Sequence, residues 1–158
     1  MEPRILITTA LLTLAPISEL RGAIPYALAQ GFPVVFTYLF CVLLNASLGP
    51  LVYLFLETLH TLFYRMGWYR RIFDALVLRA RTKVHDKVER FGYVGIMLFV
   101  AVPLPITGAY TGVLGAWILG LKRKQVCLAV LGGVIISGVI VTLISYFGIQ
   151  ALSIFIKE

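Results

Sequence analysis

Glu19 and Arg21 stand two residues apart in an otherwise apolar part of the chain, within Ser18-Glu19-Leu20-Arg21-Gly22-Ala23-Ile24-Pro25. At membrane depth an ionisable side chain is costly enough to mark a functional position by default. Arg21 offers a fixed cationic fork suited to phosphate or carboxylate. The amides of Gly22 and Ala23, read as the start of a half-helix, would reinforce it. Glu19 would hold Arg21 in place or exchange a proton; the plainer alternative is a structural ion pair between the two. A second interruption, Pro103-Leu104-Pro105-Ile106-Thr107-Gly108-Ala109-Tyr110, carries no charge. Pro103, Pro105, Thr107, Gly108 and Tyr110 supply hydroxyls and backbone dipoles and read as a partner surface for Arg21, although Gly108 and Gly112 also form a GxxxG suited to close helix packing. Asn45, polar at mid-depth, would line a cavity or hydrogen-bond to another helix. Glu57 and His60, one turn apart, would form a proton path or snorkel toward a basic loop.

Conventional enzyme chemistry is missing. The chain has no GxSxG, HExxH, CxxC or P-loop pattern, and His60 and His85 lack metal-ligand spacing. Neither hydrolysis, a cofactor nor a metal is expected. Cys41 and Cys127 lie in separate apolar runs, so packing rather than a disulfide is the expectation.

The composition says what must position these residues. Of 158 residues, 60% are hydrophobic and 13% charged, and the mean hydropathy is +0.95. A water-soluble domain needs a surface with roughly a quarter charged residues, so soluble enzymes and soluble nucleic-acid binders are excluded. The net charge of +7 does not argue for nucleic acid, because eleven of the fourteen basic residues fall in Arg65 to Arg90 and Lys122 to Lys124. Such clusters mark the cytoplasmic ends of membrane segments. Residues 64–91 and 122–125 are therefore expected in the cytoplasm and both termini outside. Arg4 followed by Ile5 to Ala15 imitates a signal peptide, but Pro16 to Arg21 replaces the small-residue cleavage site, so the segment is expected to belong to the fold.

Hydropathy and breakers give an all-α integral membrane protein of one domain. Ile5 to Ala15 spans only about 16 Å as a helix, half the hydrocarbon core. Pro16 to Pro25 breaks it, and Tyr26 to Phe32 follows as a second short run. Val34 to Phe63 is long enough to cross, with a kink expected near Asn45, Ser47, Gly49 and Pro50. Residues 64–91 alternate apolar and basic positions at helical spacing and read as an amphipathic interfacial helix, with Trp68 and Tyr69 at headgroup level. Residues 92–121 are too short for two crossings. A single crossing would put Lys122 to Lys124 on the wrong side, so a re-entrant hairpin is predicted. Val126 to Gly148 then crosses, leaving Ala151 to Ile156 near the far interface. The halves 3–63 and 92–156 thus repeat one layout, hairpin then spanning helix, in opposite orientation. That is the sequence pointer to a secondary transporter with its site near mid-membrane.

The motifs Ser18 to Pro25 and Pro103 to Gly112 resemble those of the prokaryotic small multidrug export protein family, over nearly the whole chain. That family looks like a compact relative of the DedA/VTT lipid-transport superfamily, which carries two re-entrant hairpins in inverted arrangement. The resemblance implies Glu19 as a hairpin carboxylate and Arg21 as a phosphate-binding arginine. It implies membrane lipids as partners, including lipid phosphates such as undecaprenyl phosphate. Thr107 stands where the wider group would have a second arginine, which leaves phosphate recognition to Arg21. Three functions follow as expectations: a carrier of an anionic lipid-phosphate headgroup, proton-linked or passive; a proton-coupled exporter of cationic amphiphiles; and a non-transporting assembly factor. A chain this short encloses no wide pore alone, so a homo-oligomer, with a dimer favoured, is expected.

Overall fold

Proline at the first helical position fixes φ and gives up an amide that would have no partner there, and Pro3 starts helix α1 (Pro3–Leu14) in this way. The computed structural model describes residues 2–75, 77–78, 91–104 and 107–156, and every element among them is helical. After α1 come α2 (Glu19–Ala29), α3 (Val34–Thr58) and α4 (His60–Phe63), then a helical stretch over 67–75, here α5. Helices α6 (Tyr93–Ala101), α7 (Ala109–Ile118) and α8 (Arg123–Ile156) complete the order. Helix α3 and residues Arg123–Gln150 of α8 are long and apolar enough to cross a bilayer.

Two units are distinguished: Met1–Asn45 with Ile135–Glu158, and Ala46–Val134, the boundaries falling inside α3 and α8. In the first unit α2 packs against α1 across the four residues 15–18. Its buried face is Leu20, Ala23, Ile24, Ala27 and Leu28, the spacing of one helical stripe. It ends in a Schellman cap: Phe32 N–H donates to the Ala27 carbonyl and Gly31 N–H to that of Leu28, with Gly31 at φ 78°. Gly138 of α8 lies against Tyr38 and Val42 of α3, where a side chain would not fit.

In the second unit α6 is wedged by Val100 against two glycines. A Cβ at Gly112 of α7 or at Gly133 of α8 would come within 2.6 Å of it. Helix α7 ends in the same cap as α2, with Leu121 N–H on the Ala116 carbonyl, Gly120 N–H on that of Trp117, and Gly120 at φ 70°.

Several sequence expectations need correction. The first break is short: α2 begins at Glu19 and carries Pro25 inside it, so the polar patch from Glu19 onward is helix rather than loop. Leu20, Ala23 and Ile24 have a core to fill, which outweighs the local breakers. The Gly22 amide, expected to be available to a ligand, donates to the Ser18 carbonyl at 3.3 Å. Helix α3 ends at Thr58 rather than Phe63. Helix α8 runs on through 151–156 without interruption. Pro105, Ile106 and part of the amphipathic stretch, Leu76 and 79–90 with His85, lie outside the described residues.

Candidate functional site

A short break between two half-helices leaves carbonyls at the end of one and amides at the start of the next, so polar groups gather there. At the first break the Ala15 carbonyl accepts from Ser18 N–H at 3.2 Å and from Glu19 N–H at 3.0 Å, which turns the chain. Glu19 has φ 47°, a left-handed conformation in which a side chain crowds its own backbone. Strain of this kind persists where surroundings hold a residue in place, and it concentrates at functional positions. The side chain it directs is buried, 6% exposed. Arg21 is half-buried.

Gly22 packs directly on Ser18: a Cβ at Gly22 would meet the Ser18 hydroxyl, which would have to rotate aside. Asn45, from the middle of α3, also belongs to this break. It is 1% exposed, and its Nδ2 donates to the Thr13 carbonyl at 3.1 Å in the last turn of α1. Asn45 thus makes the interhelical hydrogen bond that was one of its two expected roles, and its Oδ1 is buried without a partner among the described residues.

The first unit therefore brings Glu19, Arg21, Gly22 and Asn45 to one hairpin. Sequence reasoning missed their neighbours. Thr9 and Thr13 on α1, and Thr37 and Cys41 on α3, are each no more than 2% exposed. The signal was available as polar residues four apart, the spacing of one helix face.

The second break is held differently. Thr107 Oγ1 lies 2.7 Å from the Val102 carbonyl and 2.8 Å from that of Leu104, and it accepts from Leu104 N–H at 3.1 Å. Its hydroxyl thus ties the turn together. Gly108 is buried and accepts from Gly112 N–H at 2.9 Å, while Pro103 and Tyr110 are half-buried. Gly112 serves close packing against α6, as its GxxxG spacing suggested.

Glu57 and His60 take different partners. Glu57 is exposed and lies 3.9 Å from Arg123. The His60 ring sits among Phe73, Tyr64, Trp117 and Tyr69, with centroids at 4.0, 5.1, 5.5 and 5.9 Å, and Nδ1 is 3.2 Å from the Tyr69 hydroxyl. This burial holds the imidazole below its ordinary pKa, with Asp74 pulling weakly the other way.

Residues 19–140, which include both breaks, match the family described as "Putative small multi-drug export protein". The chain belongs to that family. No curated protein and no solved structure matches it. Membership together with two long apolar helices makes this small multidrug export family member a membrane protein with a transport role rather than an enzymatic one.

Proposed function

We propose that this protein is a secondary transporter in which the first hairpin dips into the bilayer and its break holds the headgroup of an anionic, phosphate-bearing lipid. The observation that carries the reading is the placement of Glu19 and Arg21 on one short half-helix, one buried and strained, the other half-buried. Arg21 binds the anion at the positive end of α2, and Glu19 exchanges a proton as the site turns from one side to the other.

A recurring order of helices supports alternating access. Helices α6, α7 and α8 start 89 or 90 residues after α1, α2 and α3. The shared Schellman caps at Gly31 and Gly120 fall at the same spacing. In this reading 64–91 and 122–125 are cytoplasmic and the termini outside. Irregular backbone cannot face lipid, and Ile17 in the break is 92% exposed, so a second copy covers it in a homodimer.

Export of cationic amphiphiles is the second reading, favoured by the family description and by Glu19 being more deeply buried than Arg21. Reconstituted vesicles separate the two. Arg21→Ala abolishes flipping of a lipid phosphate under the first reading. Cation efflux that fails with Glu19→Gln and survives Arg21→Ala selects the second. Both variants behaving as wild type in either assay would remove transport at this break and leave a structural role in membrane assembly.

A further inference from the structure

Two basic runs that lie far apart in the sequence meet at one end of the second unit. The His60 ring packs on Phe73 of α5 at 4.0 Å and on Trp117 of α7 at 5.5 Å, which docks α5 beside the turn from α7 to α8. The Tyr53 hydroxyl donates to the Leu121 carbonyl of that turn at 2.8 Å. Arg65 and Arg71, both exposed, are thereby brought to the same end as Lys122, Arg123 and Lys124. The acidic groups there, among the described residues, are Asp74, 3.8 Å from Arg70, and Glu57, 3.9 Å from Arg123. Lys122 and Lys124 have no acidic partner among the described residues, so this end keeps a positive excess.

An open cavity of about 490 Å³ lies at the start of α8, lined by Arg123, Lys124, Cys127 and Leu128. Residues four apart share a helix face, so Arg123 stands in line with Cys127 and Lys124 with Leu128. The wall therefore changes within about 6 Å along α8 from two cations to an apolar surface. Cys127 is half-buried and Leu128 is 68% exposed. An exposed leucine on a membrane-crossing helix is ordinary, because lipid chains cover it. A pair of cations at the mouth of an apolar cavity is a more particular arrangement. Free phosphate would meet the cations and leave the apolar wall bare. A zwitterionic lipid would cover the wall but bring its own cation to the mouth. An anionic phospholipid satisfies both parts.

We propose that this cavity holds one anionic phospholipid, with its phosphate on Arg123 and Lys124 and the start of its acyl chains against Cys127 and Leu128. Basic pockets beside membrane helices recognise lipid headgroups in this way. Glu57 does not occupy Arg123: at 3.9 Å the contact is longer than a hydrogen bond, and the five guanidinium N–H groups remain for the phosphate. The site is separate from the first break. It rests on the membrane location of the chain and not on what the chain transports.

Cys127 reports occupancy directly. In the purified, full-length protein in mixed micelles of detergent and phosphatidylcholine, a maleimide reaches Cys127, and Cys41, 0% exposed, is the internal reference. Phosphatidylglycerol at tenfold its dissociation constant is expected to slow Cys127 labelling about tenfold by mass action. The same amount of added phosphatidylcholine leaves the rate unchanged. The double variant Arg123→Gln/Lys124→Gln loses the protection. Arg4→Gln, at an exposed basic residue of the first unit, keeps it. Native mass spectrometry is the second measurement and decides the matter if Cys127 resists the reagent: the wild type retains phosphatidylglycerol over phosphatidylcholine through delipidation, and the double variant shows no preference. Equal protection by the two lipids would overturn the proposal, as would protection or retention that survives the double substitution. Protection by glycerol phosphate alone would make the ligand a free phosphate and overturn the lipid assignment.

Discussion

Asn45 Nδ2 donates to the Thr13 carbonyl at 3.1 Å, joining the middle of the first long helix to the end of the first short one. Both residues are buried, at 1% and 0% exposed, so the bond has no competition from water. Interhelical hydrogen bonds of this type contribute about 0.6 kcal/mol on average and up to about 1.7 kcal/mol. Asn45→Ala also leaves a small cavity. We expect it to lower stability by about 1–2 kcal/mol, read as a fall of several degrees in the unfolding midpoint. An unchanged midpoint would mean the contact does not support the hairpin.

Glycine packing provides a sharper contrast. A Cβ at Gly133 would lie 2.6 Å from Val100 Cβ and 2.7 Å from the Met97 carbonyl oxygen, and the latter is backbone that cannot rotate aside. Gly133→Ala is therefore expected to cost about 1–3 kcal/mol by pushing α6 away from α8. Gly148→Ala, on the same helix with nothing within 4 Å, is expected to be neutral or slightly stabilising through helix propensity. Unfolding midpoints of the two variants in one detergent make the comparison.

The aromatic cluster around His60 makes stability depend on pH. Its folded pKa is lowered from 6.5, first by burial. The unfolded chain therefore binds the proton more readily than the folded one. Stability from this group is complete above about 6.5 and is lost as pH falls toward the folded value. The groups facing it are the Tyr69 and Tyr64 hydroxyls and Asp74, which accepts from Tyr64 at 3.0 Å and pairs with Arg70 at 3.8 Å. Trp117 lies edge-on to the imidazole at 5.5 Å, so its fluorescence in a Trp68→Phe background reports the protonation. Both the fluorescence change and the acid-side loss of stability should vanish in His60→Gln.

At the start of α8, two polar contacts of α3 differ in weight. The Tyr53 hydroxyl donates to the Leu121 carbonyl at 2.8 Å, and Tyr53 is 6% exposed. Tyr53→Phe should cost about 1 kcal/mol. The Glu57 and Arg123 side chains are 43% and 47% exposed and 3.9 Å apart. Glu57→Gln should change stability by less than about 0.5 kcal/mol. Chemical unfolding of the two variants is expected to rank them in that order.

Much of this was legible from hydropathy and breakers. The short apolar runs, the Pro/Gly interruptions and the basic flanks locate both hairpins and both long helices, because length and polarity dominate a membrane chain. Local breakers misled where packing overrode them. Pro25 sits inside α2, since that helix buries apolar residues on both sides of its proline. Glu19 and Asn45 stood out as polar residues in apolar runs. The strain at Glu19 and the pairing of Asn45 with Thr13 depend on tertiary approach, which spacing along one helix does not encode. His60 and Glu57 looked coupled because they are three apart, yet α5 and α8 supply each with its own partner.

The depth of the first break is the most direct test of the proposed mechanism. Spin labels placed singly at Glu2, Ile17 and Gln30 in reconstituted protein report depth through their collision rates with oxygen and with a water-soluble nickel chelate. Helices α1 and α2, at about 18 and 16 Å, reach only partway through a core of about 30 Å. The label at Ile17 should therefore sit deep in the membrane, and those at Glu2 and Gln30 should share one interface. A label at Ile17 found at headgroup level, or Glu2 and Gln30 found on opposite faces, would contradict a transport site built on this hairpin.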